Sequence, residues 1–343
     1  MRPALLASVL GLALLATPSA GAPPTGSTRL WFTPGPGTVD MLRLFEAPDE
    51  WETAREAIDV FEFYQGHTLT QAGPGEGPNR YDAFVRVDAF RKLARWGKRV
   101  AIEVASVKEH YCTPDATGMQ AAVDATLESL RNVHGGGGRV AYIAMDEPFV
   151  SGLSRRCGGP GFAPTADRLA AYIPAVRRAF PAVRIGLIEP YPGFSVAQFT
   201  EIMRLLAARG LAVDFLHADA RRPDTPAESE GFGGGLLQLR DLAAQYGIPF
   251  GVIIWGDPGD SDALYAADAL RNADELGAVF RQWEVMPDRV LIQSWARSRS
   301  GQYITPRNLP EGQQNTHAWL INEINRRLRT PKGRTLLPVT SGS

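Results

Sequence analysis

The sequence predicts an α/β protein, a single-domain (β/α)8 TIM barrel, from three observations. Short β-branched and aromatic runs alternate with longer segments of helical period along the chain, and the alternation occurs eight times. Connections from helix back to strand are short, as at Pro181-Ala182 and Gly247-Ile248. Those after the first, second, fourth, sixth and eighth strands are long and rich in Gly, Pro and polar residues. Eight units in roughly 300 residues is the size of such a barrel. An open doubly wound sheet would leave the count of eight unexplained, and no GxGxxG follows the first strand.

The strands are expected at Arg29–Phe32, Val60–Tyr64, Val100–Ser106, Val140–Asp146, Val183–Glu189, Val213–Asp219, Phe250–Asp257 and Val290–Trp295. Helices are expected near 47–58, 81–97, 119–133, 165–180, 195–209, 235–247, 262–284 and 316–329. The fifth carries Phe199, Ile202, Met203 and Leu206 on one face, with Ser195 as N-cap and Gly210 as C-cap. Elaboration of the loops after strands marks the C-terminal mouth of the barrel as the functional face.

Residues 1–22 read as a signal peptide. Arg2 supplies a minimal positive region, Ala4 to Ala16 is apolar, and small residues follow to Ala22. The barrel is assigned to 27–330 and a flexible tail to 331–343. The apolar run is too short for a membrane span, and no later segment reaches the roughly 18 apolar residues a span needs. The protein is therefore expected to be secreted or periplasmic. In an oxidising compartment Cys112 and Cys157 are expected to form a disulfide joining the loops after strands three and four.

The chain has 343 residues, with 36 Lys+Arg against 37 Asp+Glu and a formal net charge of −1. That balance leaves no electrostatic footprint for nucleic acid or anionic membranes. The five histidines include no HxH or HxxxH, so no metal and no other cofactor is expected, and no GxSxG marks a serine hydrolase. A monomer acting on a small neutral unit, or on a polymer of such units, is the expected form.

The strand ends carry Tyr64, Glu103, Asp146-Glu147, Glu189, His217 with Asp219, Trp255 with Asp257, and Gln293 with Trp295. Carboxylates interleaved with aromatics suit a sugar site: the acids act on a glycosidic bond, and the rings stack on pyranose faces. Glu103 is equally readable as a paired charge inside the barrel, His217 as a structural histidine, and Trp31 as barrel filling. Glu62 is read as facing a helix. Trp255 and Trp295 are the expected stacking floor, while Gln293, His217, Asp219, Glu189, Glu103 and Tyr64 are the further substrate contacts.

The sharpest motif is Ala144-Met145-Asp146-Glu147-Pro148. Pro148 stops the strand, and because strand side chains alternate, both acids reach one site only if the backbone turns there. This motif, with Ser294-Trp295 closing strand eight, resembles clan A glycoside hydrolases, in which strand four ends Asn-Glu-Pro. The resemblance implies carbohydrate hydrolysis with Glu147 as general acid/base. Two departures stand out: Asp146 replaces the Asn, and strand seven ends Trp255-Gly256-Asp257 with no Glu for the usual nucleophile. Asp257 is the expected second carboxylate, with Asp219 in reserve. The Asp-Glu pair also resembles hexosaminidases of glycoside hydrolase families 20 and 123, which implies Asp146 orienting a substrate 2-acetamido group that acts as nucleophile. Either resemblance implies retention of configuration. The missing strand-seven Glu also admits a carbohydrate-binding barrel that has lost catalysis.

Overall fold

A computed structural model describes residues 28–71, 77–105, 108, 116–154, 159–224, 231–298 and 305–329, with only the backbone for 116–118. The expected signal peptide, the tail and both cysteines lie outside the described residues. Eight parallel strands close into a barrel: β1 (Arg29–Thr33), β2 (Val60–Tyr64), β3 (Arg99–Val104), β4 (Val140–Asp146), β5 (Arg184–Tyr191), β6 (Leu216–Ala220), β7 (Phe250–Ile254) and β8 (Arg289–Gln293). Each pairs with its sequence neighbour, and β8 returns to β1 with Trp31 opposite Leu291.

Helices fill the crossovers: α1 (Arg43–Glu46), α2 (Glu52–Ala57), α3 (Tyr81–Arg86), α4 (Ala89–Arg95), α5 (Ala116–Gly135), α6 (Pro148–Gly152), α7 (Phe162–Ala179), α8 (Val196–Ala208), α9 (Phe232–Gln245), α10 (Asp262–Gln282) and α11 (His317–Arg329). The helix expected over 81–97 is split at Asp88, which takes a left-handed backbone at φ 57°. Ser195 caps α8 in a capping box with Gln198, and Gly210 follows its end at φ 67°. Among the described residues no helix is long and apolar enough to cross a membrane.

The strand period sorts side chains into two cores. Outward residues such as Phe61, Phe63 and Leu187 pack under the helices. Inward residues Trp31, Val60, Ala101, Tyr142, Ala144, Ile188, Phe215, Ile253 and Leu291 fill the barrel. Gly186 makes room for this filling: a Cβ there would lie 2.2 Å from the Phe215 ring. Trp31 is wholly buried among Tyr142, Phe215 and His217, so it is barrel filling.

Three buried histidines, His67, His217 and His317, have no partner on either ring nitrogen. Burial pushes His67 and His317 down to about 3 and His217 well below its ordinary value. The unfolded chain therefore takes up protons near pH 6.5 that the folded barrel refuses, so their contribution is complete above that pH and lost as pH falls. Buried Glu62, Glu103, Glu189 and Asp219 are pushed up instead, chiefly by burial, and their contribution is lost as pH rises above the ordinary carboxylate range. The two sets oppose one another between about pH 4.5 and 6.5. Below that window the raised carboxyls no longer compensate: the three histidines lose about 4 kcal/mol per pH unit, and carboxylates held low by their partners, such as Asp268 and Glu311, add to the loss. Thermal melts are expected to be nearly level from pH 5 to 6 and to fall steeply below about 4.5; a level midpoint down to pH 3 would exclude neutral buried histidines.

Candidate active site

The C-terminal ends of the strands enclose a cavity of about 460 Å³. Its walls bring together eight of the residues singled out in the sequence, Tyr64, Glu103, Asp146, Glu147, Asp219, Trp255, Gln293 and Trp295, with Lys108, Ile188 and Ile253 completing them.

Strand β4 ends at Asp146, and Glu147 takes a left-handed backbone at φ 44°, ψ 46°. That turn carries Glu147 into the cavity beside Asp146, at a strain of about 1–3 kcal/mol for a residue with a Cβ. Pro148 then opens α6 with its ring already set for a helix.

Glu189 holds this turn from behind. Its Oε1 accepts from the Phe149 N–H at 2.7 Å and its Oε2 from the Val150 N–H at 3.2 Å. The expectation of Glu189 as a substrate contact is corrected: it is fully buried on the outer face of β5, whereas its neighbour Ile188 faces the cavity. Replacing Glu189 by Ala is expected to orphan two buried donors and lower stability by about 2–4 kcal/mol. Chemical denaturation checks this, and a change under 0.5 kcal/mol, roughly that of an ordinary surface substitution, would mean the turn holds itself.

Lys108, in the segment after β3, binds both acids. Its Nζ lies 2.7 Å from Asp146 Oδ2 and 3.1 Å from Glu147 Oε2. Burial pulls the ammonium down, but the charges of Asp146 and Glu147 outweigh it and raise it, so Lys108 stays protonated. The ammonium thus bridges the two carboxylates.

Asp219 belongs to a different environment. Burial, with the charges of Glu147 and Asp146, pushes it up to about 7, against the lowering effect of the Trp255 indole N–H that donates to Oδ1 at 2.6 Å. The Trp255 ring is fixed in turn by Trp295, with centroids 4.7 Å apart and planes at 42°, and by the Arg221 guanidinium 5.0 Å from its centroid. Trp295 is the more exposed of the pair, at the rim.

Asp257, the expected second carboxylate, does not reach the cavity. Strand β7 ends at Ile254, three residues before it, and the Asp257 N–H donates to Asp268 Oδ2 at 2.9 Å. Its exposed side chain lies outside the cavity. His217, expected as a substrate contact, shares the inward face of β6 with Asp219 but sits one layer deeper. It is wholly buried against Trp31 and Phe215 and does not line the cavity.

On the opposite wall Gln293 Nε2 donates to the Tyr64 hydroxyl at 3.0 Å and to Glu103 Oε2 at 2.5 Å, and the Tyr64 hydroxyl donates to the Ser294 carbonyl at 2.9 Å. Burial, then the charges of Asp146 and Glu62, holds Glu103 well above the usual carboxylate range. Glu62 faces inward, not toward a helix. It accepts from the Thr33 hydroxyl at 2.7 Å, and burial pushes it up to about 7.

No protein-family model and no curated protein matches the sequence. Among solved structures the chain is similar to a modular endo-β-1,4-mannanase from Cellulomonas fimi described with glycoside hydrolase family 26. The TM-score is 0.57 and the identity 15%, over 89% of this chain and 71% of that one. It is also similar to a xylanase A mutant from P fluorescens subsp. cellulosa in complex with xylopentaose, at a TM-score of 0.56 and 11% identity, over 88% of this chain and 98% of that one. A third is a family 10 glycoside hydrolase from Paenibacillus barcinonensis, at 0.55 and 12%, over 89% and 97%. These structural neighbours are glycoside hydrolases. At such identities what the chain shares with them is the barrel fold.

Proposed function

We propose that the chain is an exported glycoside hydrolase that cleaves an oligo- or polysaccharide with retention of configuration. The observation that carries this reading is one cavity holding two carboxylates bridged by the Lys108 ammonium, a buried acid poised near neutrality, and a pair of Trp rings. Environments that push carboxyl groups apart in this way separate an acid from a base.

The surroundings of the two acids assign the roles. Asp219 Oδ1 is taken by the Trp255 indole, which leaves Oδ2 to carry a proton to the glycosidic oxygen. Glu147, paired with Lys108, attacks the anomeric carbon as that bond breaks, giving a glycosyl ester. Asp219, now a carboxylate, takes a proton from water, and the water oxygen displaces Glu147. Asp146 and Lys108 orient Glu147 and the sugar. This ordering reverses the role that the clan A resemblance implies for Glu147, because Asp219 is the acid that burial holds near neutrality. Export rests on the N-terminal Arg2 and the apolar run that follows it.

The test is reducing-end release from β-1,4-linked manno-, xylo- and N-acetylglucosamine oligosaccharides by the whole chain. Cleavage of at least one class is expected. Binding without cleavage across the panel would leave a carbohydrate-binding barrel and exclude the enzyme.

A further inference from the structure

The opposite mouth of the barrel collects positive charge. Arg29, Arg99, Arg184 and Arg289 are the first residues of β1, β3, β5 and β8, so parallel strands place all four at the N-terminal end. They converge on Tyr142 of β4. Arg29 Nη1 donates to its hydroxyl oxygen at 3.4 Å and Arg99 Nη1 at 2.9 Å, and Arg184 stands opposite Tyr142 in the β4–β5 register. Arg289, only 2% exposed, lies with its guanidinium 5.0 Å from the Trp31 and Tyr142 ring centroids and 4.5 Å from that of Phe215. Its Nη1 is buried without a partner.

Carboxylates at this end are engaged elsewhere. Asp59, Asp214 and Asp288 each sit just before or at the start of a strand and accept from the backbone N–H of Leu30, Ile185 and Phe250, at 3.0, 2.7 and 2.9 Å. Asp214 also pairs with Arg177. Among the described residues none of the four arginines has a carboxylate within 4.0 Å. The mutual charge is felt: burial first, then Arg29 and Arg184, bring Arg289 down to about 10.

The structure assigns to this mouth a binding site for a phosphate group, free or as a monoester, held by Arg29, Arg99 and Arg184 around Tyr142 with Arg289 beneath. Guanidinium groups approaching from three or more strands suit a tetrahedral oxyanion, whose oxygens point in several directions; a planar carboxylate serves one or two. The site lies at the end of the barrel away from the sugar cavity and is independent of any glycosidase activity.

Calorimetric titration of the whole chain with inorganic phosphate and with glycerol 1-phosphate, at low ionic strength and pH 7, tests the site. One saturable site is expected, with acetate at least about tenfold weaker. Arg99→Gln and Arg184→Gln, both at exposed positions, are each expected to weaken the anion about tenfold or more, as loss of a charge-assisted hydrogen bond does. Arg204→Gln on α8 removes the same unit of charge and is expected to change nothing. Preference between the two ligands tells a free ion from a monoester. Absence of saturable binding by either, or equal weakening by all three variants, would overturn the site, the latter because it indicates diffuse counter-ion attraction.

Discussion

Glu147→Gln is expected to lower turnover of a cleaved glycan on the order of 10⁴-fold while leaving the melting temperature nearly unchanged. On the proposed mechanism the side chain attacks the anomeric carbon, so an amide of the same shape removes the attacking carboxylate and little else. The backbone turn does not depend on that charge: Glu189 holds the Phe149 and Val150 N–H groups, and the Glu147 N–H still donates to the Ile188 carbonyl at 3.0 Å. Lys108 keeps Asp146 as a partner. Steady-state rates with matched thermal melts check both halves of the expectation. Turnover within tenfold of the wild type would remove Glu147 from the chemistry.

The second large effect concerns Asp219 and pH. On the glycosidase reading Asp219 donates the proton and must be protonated when substrate binds; burial holds it near 7, so kcat/KM is expected to fall about tenfold per pH unit above roughly 7. The sign follows from a raised acid: below about 7 the carboxyl is neutral and competent, and above it the proton is gone. Trp255→Phe removes the indole donor that favours the ionised form, so this alkaline limb is expected to move upward in that variant. An unchanged or lowered limb would point to another group. A profile level to pH 9 would show that no group of this kind supplies the proton.

How much of this was legible in the sequence can be followed residue by residue. The eight strands were, because inward aromatic filling and outward aliphatic packing both leave β-rich runs, and Asp146-Glu147-Pro148 announced its own backbone turn. Phase was harder. Taking the last acid of each strand selected Glu189, yet Gly186 and Ile188 share the opposite face of β5, and the small Gly beneath Phe215 was the available sign of the inward side. Asp257 failed for a related reason: β7 stops at Ile254, so period two no longer applies by that point. His217 and Asp219 do share a face, but depth along the barrel axis decides which of them meets the cavity, and alternation carries no information about depth. Lys108 was invisible, since it reaches Asp146 from 38 residues upstream, out of a stretch whose sequence has no periodic pattern.

The leaving-group dependence of Asp219→Asn bears most directly on the division of labour in the cavity. An aryl glycoside with an acidic phenol needs no proton on departure, whereas an unactivated sugar does. The glycosidase reading, with Asp219 as acid and Glu147 as attacking carboxylate, predicts that Asp219→Asn keeps its rate of glycosyl-ester formation on the aryl glycoside within about tenfold while losing on the order of 10³-fold or more on the oligosaccharide. Equal losses on both substrates would contradict it, and the same pattern appearing in Glu147→Gln instead would exchange the two roles.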